Sequence, residues 1–199
     1  MSGPVQLSVV ISFFNEEEVF PELIRRLRLV LRRERDNGVL SGYELVFVND
    51  SSVDRSEEVL LAASEGQQDI KIVTMSRNFG VSQCVLAGME YSSGDLVVYM
   101  DADLQDPPET IPDMLSVWRE GKDIDVVNTV RLGRKGEPLL KRILTRIGYR
   151  ILKSVTNINF LVEAGDFKLL SRRAVNHLLL LKEKQPFLRG LVYWIGFNQ

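Results

Sequence analysis

The sequence predicts an α/β fold built on a mainly parallel sheet with helices packed on it. Two observations carry this. Short, almost continuously apolar runs alternate with stretches of helical periodicity through the first two-thirds of the chain. Those runs lack the in–out alternation of a half-exposed sheet, as strands covered on both faces do.

Residues 7–13 (LSVVISF) form the first expected strand. Val19, Leu23, Leu27, Val30 and Leu31 then recur at helical spacing, with Arg25, Arg26, Arg28, Arg32 and Arg33 between them. Residues 43–48 are the second strand. Asp54, followed by Glu57, has the pattern of an N-cap with a capping-box glutamate and opens a helix to about residue 65. Residues 70–75 make the third strand. A helix over 78–91 is closed by Ser92-Ser93-Gly94. Residues 96–100 are the fourth strand, 111–120 a helix, and 125–130 the fifth strand.

After that the character changes. In residues 131–155 (RLGRKGEPLLKRILTRIGYRILKSV), Leu139, Leu140, Ile143, Leu144, Ile147 and Ile151 form an apolar face. Lys141, Arg142, Arg146, Arg150 and Lys153 are interspersed, which predicts a basic amphipathic helix from about Pro138. Such a helix suits a wet protein face and an anionic membrane surface equally. A last helix is expected over 171–181, and the closing segment is apolar and aromatic. No repeat or linker divides the chain. One domain over 1–199 is expected, with 1–130 as one half and 131–199 as the other.

The 199 residues carry 25 Lys+Arg against 27 Asp+Glu, a net charge of -2, which argues against a generic nucleic-acid binder. One cysteine, Cys84, excludes an internal disulfide and reads as a core residue. No basic stretch precedes the first apolar run, so a signal peptide is not expected. The longest uncharged apolar runs, such as 191–197, are far short of the ~20 residues that span a bilayer. The single His177 has no His/Cys cluster around it, so zinc is not expected.

Ligands of such sheets bind beyond the carboxyl ends of the strands. Phe14-Asn15-Glu16, Asn49-Asp50-Ser51-Ser52, Ser76-Arg77-Asn78, Asp101-Ala102-Asp103 and Arg131 all fall there. In MDADLQDPPE (100–109) the two carboxylates Asp101 and Asp103 end a buried strand, where they repel unless a cation joins them. Mg²⁺ commonly takes one or two carboxylates plus substrate phosphates. The pair is a weak signal alone. On a rim with four other polar loops it favours metal–phosphate chemistry. Asp50 alone reads as a turn residue, and Glu16 as a helix-start acid. Asp166, after Gly165, reads as a turn Asp or as a group that orients an acceptor or acts as a base. Arg189 suits a diphosphate or a structural helix start.

Taken together, VVISFFNEE (9–17), VNDSSVD (48–54), SRNFG (76–80), DADLQDPPE (101–109), GDF (165–167) and FLRG (187–190) resemble family 2 glycosyltransferases. More narrowly they resemble the polyisoprenyl-phosphate glycosyltransferases, which include bacterial undecaprenyl-phosphate glucosyltransferases and dolichol-phosphate mannose synthases. The resemblance implies a GT-A (Rossmann-like) fold and inverting transfer of a hexose from a nucleotide-sugar to a polyprenyl phosphate. UDP-glucose is the first donor expected, then GDP-mannose or UDP-GlcNAc. It implies that Phe14, Glu16 and Asp50 meet the nucleoside, with Arg77 and Arg189 also on the nucleotide-sugar. Asp101 and Asp103 would hold Mg²⁺ or Mn²⁺, with Gln105 a further ligand. Arg131, Lys141 and Thr145 would grip the acceptor phosphate, with Arg142 and Arg146 as competitors. Asp103, Asp166 and Arg131 form the expected catalytic set. The acceptor phosphate is already ionised, so Asp166 is expected to orient rather than to abstract a proton.

The sequence departs from the family twice. Ser12-Phe13-Phe14 stands where a proline and a tyrosine are common, and Asp50-Ser51-Ser52 replaces Asp-Gly-Ser. If that turn needs positive φ, Ser51 is strained where Gly would not be. Family members commonly continue into transmembrane helices, so a catalytic domain cut from a membrane-anchored protein is expected, at the cytoplasmic face of the membrane. Homo-oligomers are compatible with the resemblance. Three rivals fit less well. An aspartyl-phosphate phosphatase places its Asp-x-Asp after the first strand, and a dinucleotide-binding module needs Gly-x-Gly-x-x-Gly there. A soluble transferase acting on saccharides does not call for the basic segment 131–155. A non-catalytic nucleotide-sugar binder would bind nucleotide and metal without transfer.

Overall fold

The computed structural model describes residues 3–130 and 164–199. Its centre is one sheet of six strands in the order β3-β2-β1-β4-β6-β5. The strands are β1 (Val5–Phe13), β2 (Leu40–Asn49), β3 (Ile70–Thr74), β4 (Leu96–Asp101), β5 (Val126–Val130) and β6 (Ala164–Ser171). The first four are parallel, with Val9 opposite Leu45 on one side and Val98 on the other. β6 runs antiparallel to both β4 and β5.

Helices α1 (Phe20–Asp36), α2 (Ser56–Ser64) and α4 (Ile111–Glu120) cover one face. Helices α3 (Val81–Tyr91), α5 (Arg172–Leu179) and α6 (Leu188–Trp194) cover the other. On the first face Leu23, Leu27 and Leu31 of α1 meet Leu7, Val9 and Ile11, all fully buried. Each such side chain removed from water contributes about 1.5–3 kcal/mol before entropy is counted. Pro21 sits in the first turn of α1 and Arg33 and Arg35 in its last turn, which suits the helix start and dipole.

On the second face α3 lies very close to the sheet. A Cβ at Gly88 would meet Val10 Cγ1 at 2.3 Å and Val48 Cγ2 at 2.9 Å. The absent side chain sets that distance.

The structure corrects the sequence reading in three places. Asp166 is in strand β6, not in a turn or loop. Gly165 and Asp166 are depleted in strands and hid its start. The capping box does not form. Asp54 Oδ1 accepts from Ser56 N at 3.0 Å, while Glu57 accepts from Asn49 Nδ2 at 2.9 Å and Thr74 Oγ1 at 3.2 Å. Helix α3 starts at Val81 rather than 78, because Gly80 holds φ at +92° outside the helix. The closing segment contains the helix α6. The segment 131–155, with Arg131, Lys141 and Thr145, lies outside the described residues. Among the described residues, no helix is long and apolar enough to cross a membrane.

Candidate active site

Parallel pairing brings the carboxyl ends of β1, β2 and β4 to one rim. Ser12 is opposite Asp101 and Phe13 opposite Asn49. The ladder continues into the loops, with Asp50 N donating to Phe13 O at 3.0 Å and Ala102 N to Ser12 O at 3.2 Å. Because β6 runs the other way, its beginning reaches the same rim. Tyr99 pairs with Lys168 at the end of the β4–β6 ladder, and Asp166, just beyond it, is close enough to act on the Asp101 carboxyl.

A cleft of about 200 Å³ opens there, and Phe14, Glu16, Asp50, Asp101 and Asp103 all line it. These are five of the residues singled out in the sequence. The side chain of Ser12 donates to Asp101 Oδ1 at 2.9 Å. Burial raises the Asp101 carboxyl above its ordinary value; the Ser12 bond opposes this, and Asp103, Asp166 and Asp106 add to it. Glu16 is raised likewise, by burial first and then by Asp103, Asp54 and Asp101. The rim thus concentrates negative charge.

That charge and those atoms fit a hard divalent cation. Carboxylate oxygens are the ligands Mg²⁺ and Mn²⁺ prefer, and a cation would relieve the repulsion that raises Asp101. Among the described residues no group of three or more His, Cys, Asp or Glu is arranged to hold a metal. The Asp101–Asp103 pair could supply two carboxylate oxygens to a cation. Asp103 Oδ1 accepts from the backbone of Gln105 at 3.0 Å, and Gln105 itself is exposed beside the cleft.

Asp50 is 95% shielded in its own way: its relative exposure is 5%, and its two oxygens accept from Phe79 N at 2.7 Å and Gly80 N at 2.9 Å. It therefore ties the loop before α3 to the end of β2. Arg77 stacks over the Phe79 ring at 4.1 Å in an adjoining groove of about 520 Å³, which shares Val81 with the cleft. Lys184 and Phe187 form the groove's far wall. Cys84 also lines the cleft, but burial and then Asp50 push its thiol up to about 12, so it is no nucleophile at neutral pH.

The loops after β1 and β2 clasp each other. Asn15 N donates to Ser52 Oγ at 3.0 Å and Asn15 Oδ1 accepts from Val53 N at 2.9 Å. Glu16 N donates to Ser56 Oγ at 2.8 Å, and Glu17 accepts from Arg55 N at 2.7 Å. The geometry carries strain: Asn15 (φ 58°), Ser51 (φ 63°) and Leu104 (φ 58°) are left-handed, one in each loop after β1, β2 and β4. Sequence reasoning overlooked Asn15, Ser52 and Ser56 as clasp residues, because their role is to hold backbone.

Arg189 meets Asp166 rather than standing apart. Its Nε donates to Asp166 Oδ1 at 3.1 Å, and a terminal nitrogen donates to Oδ2. Sequence reasoning also passed over Tyr99 and Lys168. The signal was a polar residue inside each of the apolar runs LVVYM and FKLL.

This three-layer α/β sandwich, with its acid-lined rim at the parallel strand ends, has the GT-A fold of solved glycosyltransferases. The mannosyltransferase PcManGT from Pyrobaculum calidifontis, solved with GDP-Man and Mn²⁺, superposes with a TM-score of 0.61 at 18% identity, over 88% of this chain and 47% of that one. Glucosyl-3-phosphoglycerate synthase from Mycobacterium tuberculosis, solved with Mn²⁺, UDP and phosphoglyceric acid, gives 0.57 at 21% identity over 85% and 57%. The chain belongs to glycosyl transferase family 2, whose model matches residues 8–179. An uncharacterized glycosyltransferase of Bacillus subtilis, YkcC, is 44% identical over the whole of this chain and 59% of its own length. A prophage bactoprenol glucosyl transferase homolog of Escherichia coli is 31% identical over 96% of this chain and 60% of its own. The chain thus spans about three-fifths of the length of these two relatives.

Proposed function

We propose that this chain is the catalytic part of an inverting, metal-dependent hexosyltransferase that moves a sugar from a nucleotide-sugar onto a polyprenyl phosphate at the cytoplasmic face of a membrane. The observation that carries it is the cleft in which Asp101 and Asp103 stand with Phe14, Glu16 and Asp50. The bactoprenol glucosyl transferases among the relatives support the lipid acceptor and glucose as the sugar; we place UDP-glucose ahead of GDP-mannose or UDP-GlcNAc as donor.

In this reading Phe14 and Glu16 receive the nucleoside, and Asp50 shapes its seat through the Phe79 and Gly80 amides. Arg77 and Arg189 face the anionic end of the donor. Asp101 and Asp103, with Gln105, would hold Mg²⁺ or Mn²⁺ on the diphosphate. Such an ion supplies charge stabilisation to a departing nucleoside diphosphate. A phosphate oxygen of the acceptor attacks the anomeric carbon from the side opposite the leaving group, and the bond from that carbon to the diphosphate breaks. The nucleophile is an anion already, so Asp166 holds groups in line rather than taking a proton. Arg131, Lys141 and Thr145 are proposed to hold the acceptor phosphate, since guanidinium matches phosphate bidentately, and the basic segment 131–155 to lie on the anionic leaflet.

The test is a panel of labelled nucleotide-sugars offered, with undecaprenyl or dolichyl phosphate and with or without Mn²⁺, to a full-length membrane-bearing protein. A lipid-linked sugar formed from one donor in the presence of metal is expected. No lipid product from any donor would sink the reading.

A further inference from the structure

The sheet register sets up a polar row that the mechanism above does not use. Tyr99 of β4 pairs with Lys168 of β6, and Lys168 pairs with Asn128 of β5. Side chains directly opposite in antiparallel strands share a face and touch. One step deeper on that face the row is Val97, Leu170 and Val126, wholly apolar and buried. Outward of the row stand Asp101 and Asp166, both close enough to act on the Tyr99 hydroxyl. A buried ammonium and a buried phenol therefore lie directly beneath the rim carboxylates.

Lys168 is fully buried. Its Nζ donates to Asn128 Oδ1 at 2.5 Å and lies 5.6 Å from the Tyr193 ring centroid. An ammonium has three donors, and the Asn128 bond is the one it makes among the described residues. The Tyr99 hydroxyl is also buried, and among the described residues it has no hydrogen-bond partner. Leaving a lysine and a phenol so placed is costly, and an apolar pair would be cheaper. The charged groups facing the ammonium are Asp166 of its own strand and Arg189 of α6. Burial brings the ammonium down to about 8; Asp166 opposes that shift and Arg189 adds to it.

In the structure, Asp166 is paired with Arg189. If Arg189 turns to a diphosphate, Asp166 is left beside Asp101 and Asp103 with its partner gone. We propose that Lys168 is a positioning residue for Asp166. Set in its row with Tyr99 and Asn128, the buried ammonium keeps that carboxylate compensated and in place when Arg189 engages an anionic ligand. The kinetic consequence rests on the glycosyl-transfer reading; the electrostatic coupling does not.

Two measurements test it. In protein carrying ¹³C-labelled lysine, the Lys168 side chain should titrate near 8, and Asp166→Asn should move that midpoint down by about one unit. An unmoved midpoint overturns the coupling. In the transfer assay Lys168→Met should lower kcat about tenfold or more, because Asp166 loses its place in the donor-bound enzyme. Lys168→Arg should recover most of that rate. If Lys168→Met does not fold, Lys168→Gln, with a polar uncharged tip, supplies the same comparison. An uncharged variant with wild-type kcat, or an arginine variant no better than the uncharged one, overturns the positioning role. A wild-type protein inactive with every donor defeats the transfer reading instead, and the titration then decides the coupling by itself.

Discussion

Asp166 and Arg189 are joined at two points, Nε to Oδ1 at 3.1 Å and a terminal nitrogen to Oδ2, although they come from a strand and a helix on either side of α5. The pair places its carboxylate close enough to act on Asp101. It is partly exposed, so its worth to the fold is small.

Arg189→Ala should accordingly change stability by less than about 1 kcal/mol. It should weaken binding of a nucleoside diphosphate with Mn²⁺ about tenfold, or about 1.4 kcal/mol. Calorimetric titration beside a thermal melt separates the two effects. A melt that collapses while affinity holds would make Arg189 structural.

Asp101 is expected to cost the ligand-free protein stability at neutral pH. Its carboxyl is raised in the folded state, by burial first and then by Asp103 and Asp166 with Ser12 opposing. A raised acid contributes most below its unfolded value of 3.8, and that contribution is lost as pH climbs through the folded value. Asp101→Asn should therefore melt roughly 2–4 °C higher than wild type at pH 7, the shift that about 1 kcal/mol gives at this size. The gap should close toward pH 4. Mn²⁺ with nucleotide should stabilise wild type and leave the variant unmoved. Melting curves from pH 4 to 8, with and without ligand, check all three.

Ser51 holds φ at +63°, the conformation glycine takes without strain. Ser51→Gly removes about 1–2 kcal/mol of strain and costs about 0.5–1 kcal/mol of chain entropy, a net gain of about 0.5 kcal/mol. Asn15, at a similar φ, should behave oppositely. Its side chain accepts from Val53 N, so Asn15→Gly loses a bond and loosens the clasp. Urea denaturation of both variants measures the contrast.

Gly88→Ala should destabilise by about 1–3 kcal/mol, because the new methyl runs into Val10 and Val48. Nucleotide affinity of the folded fraction should stay near wild type, since α3 would tilt away from the cleft at its far end. Chemical denaturation with a binding assay reads both.

The parallel strands were legible because both faces of each are covered, which leaves unbroken runs such as VVIS in β1 and LVVYM in β4. The rim followed from them, since parallel strands put all their carboxyl ends on one side. β6 was not legible. It opens with Ala164-Gly165-Asp166, and glycine and aspartate are poor strand formers. The roles of Lys168 and Tyr99 were hidden for the same reason: two residues far apart in sequence become neighbours only once the antiparallel register is known. Asp50 was found as a rim residue, but its bond to the Phe79 and Gly80 amides needed the fold of the third loop.

Val130 and Ala164 are register partners, so everything between them leaves and re-enters the sheet at one point on its rim. That makes 131–163 an exchangeable cassette. A replacement of another length, spliced at those two residues, keeps the ends of β5 and β6 where their register pairs them. If, as proposed, Arg131, Lys141 and Thr145 hold the acceptor, one donor-handling body could be fitted with different acceptor-handling inserts. On that reading, grafting the span between members of the family would redirect what receives the sugar.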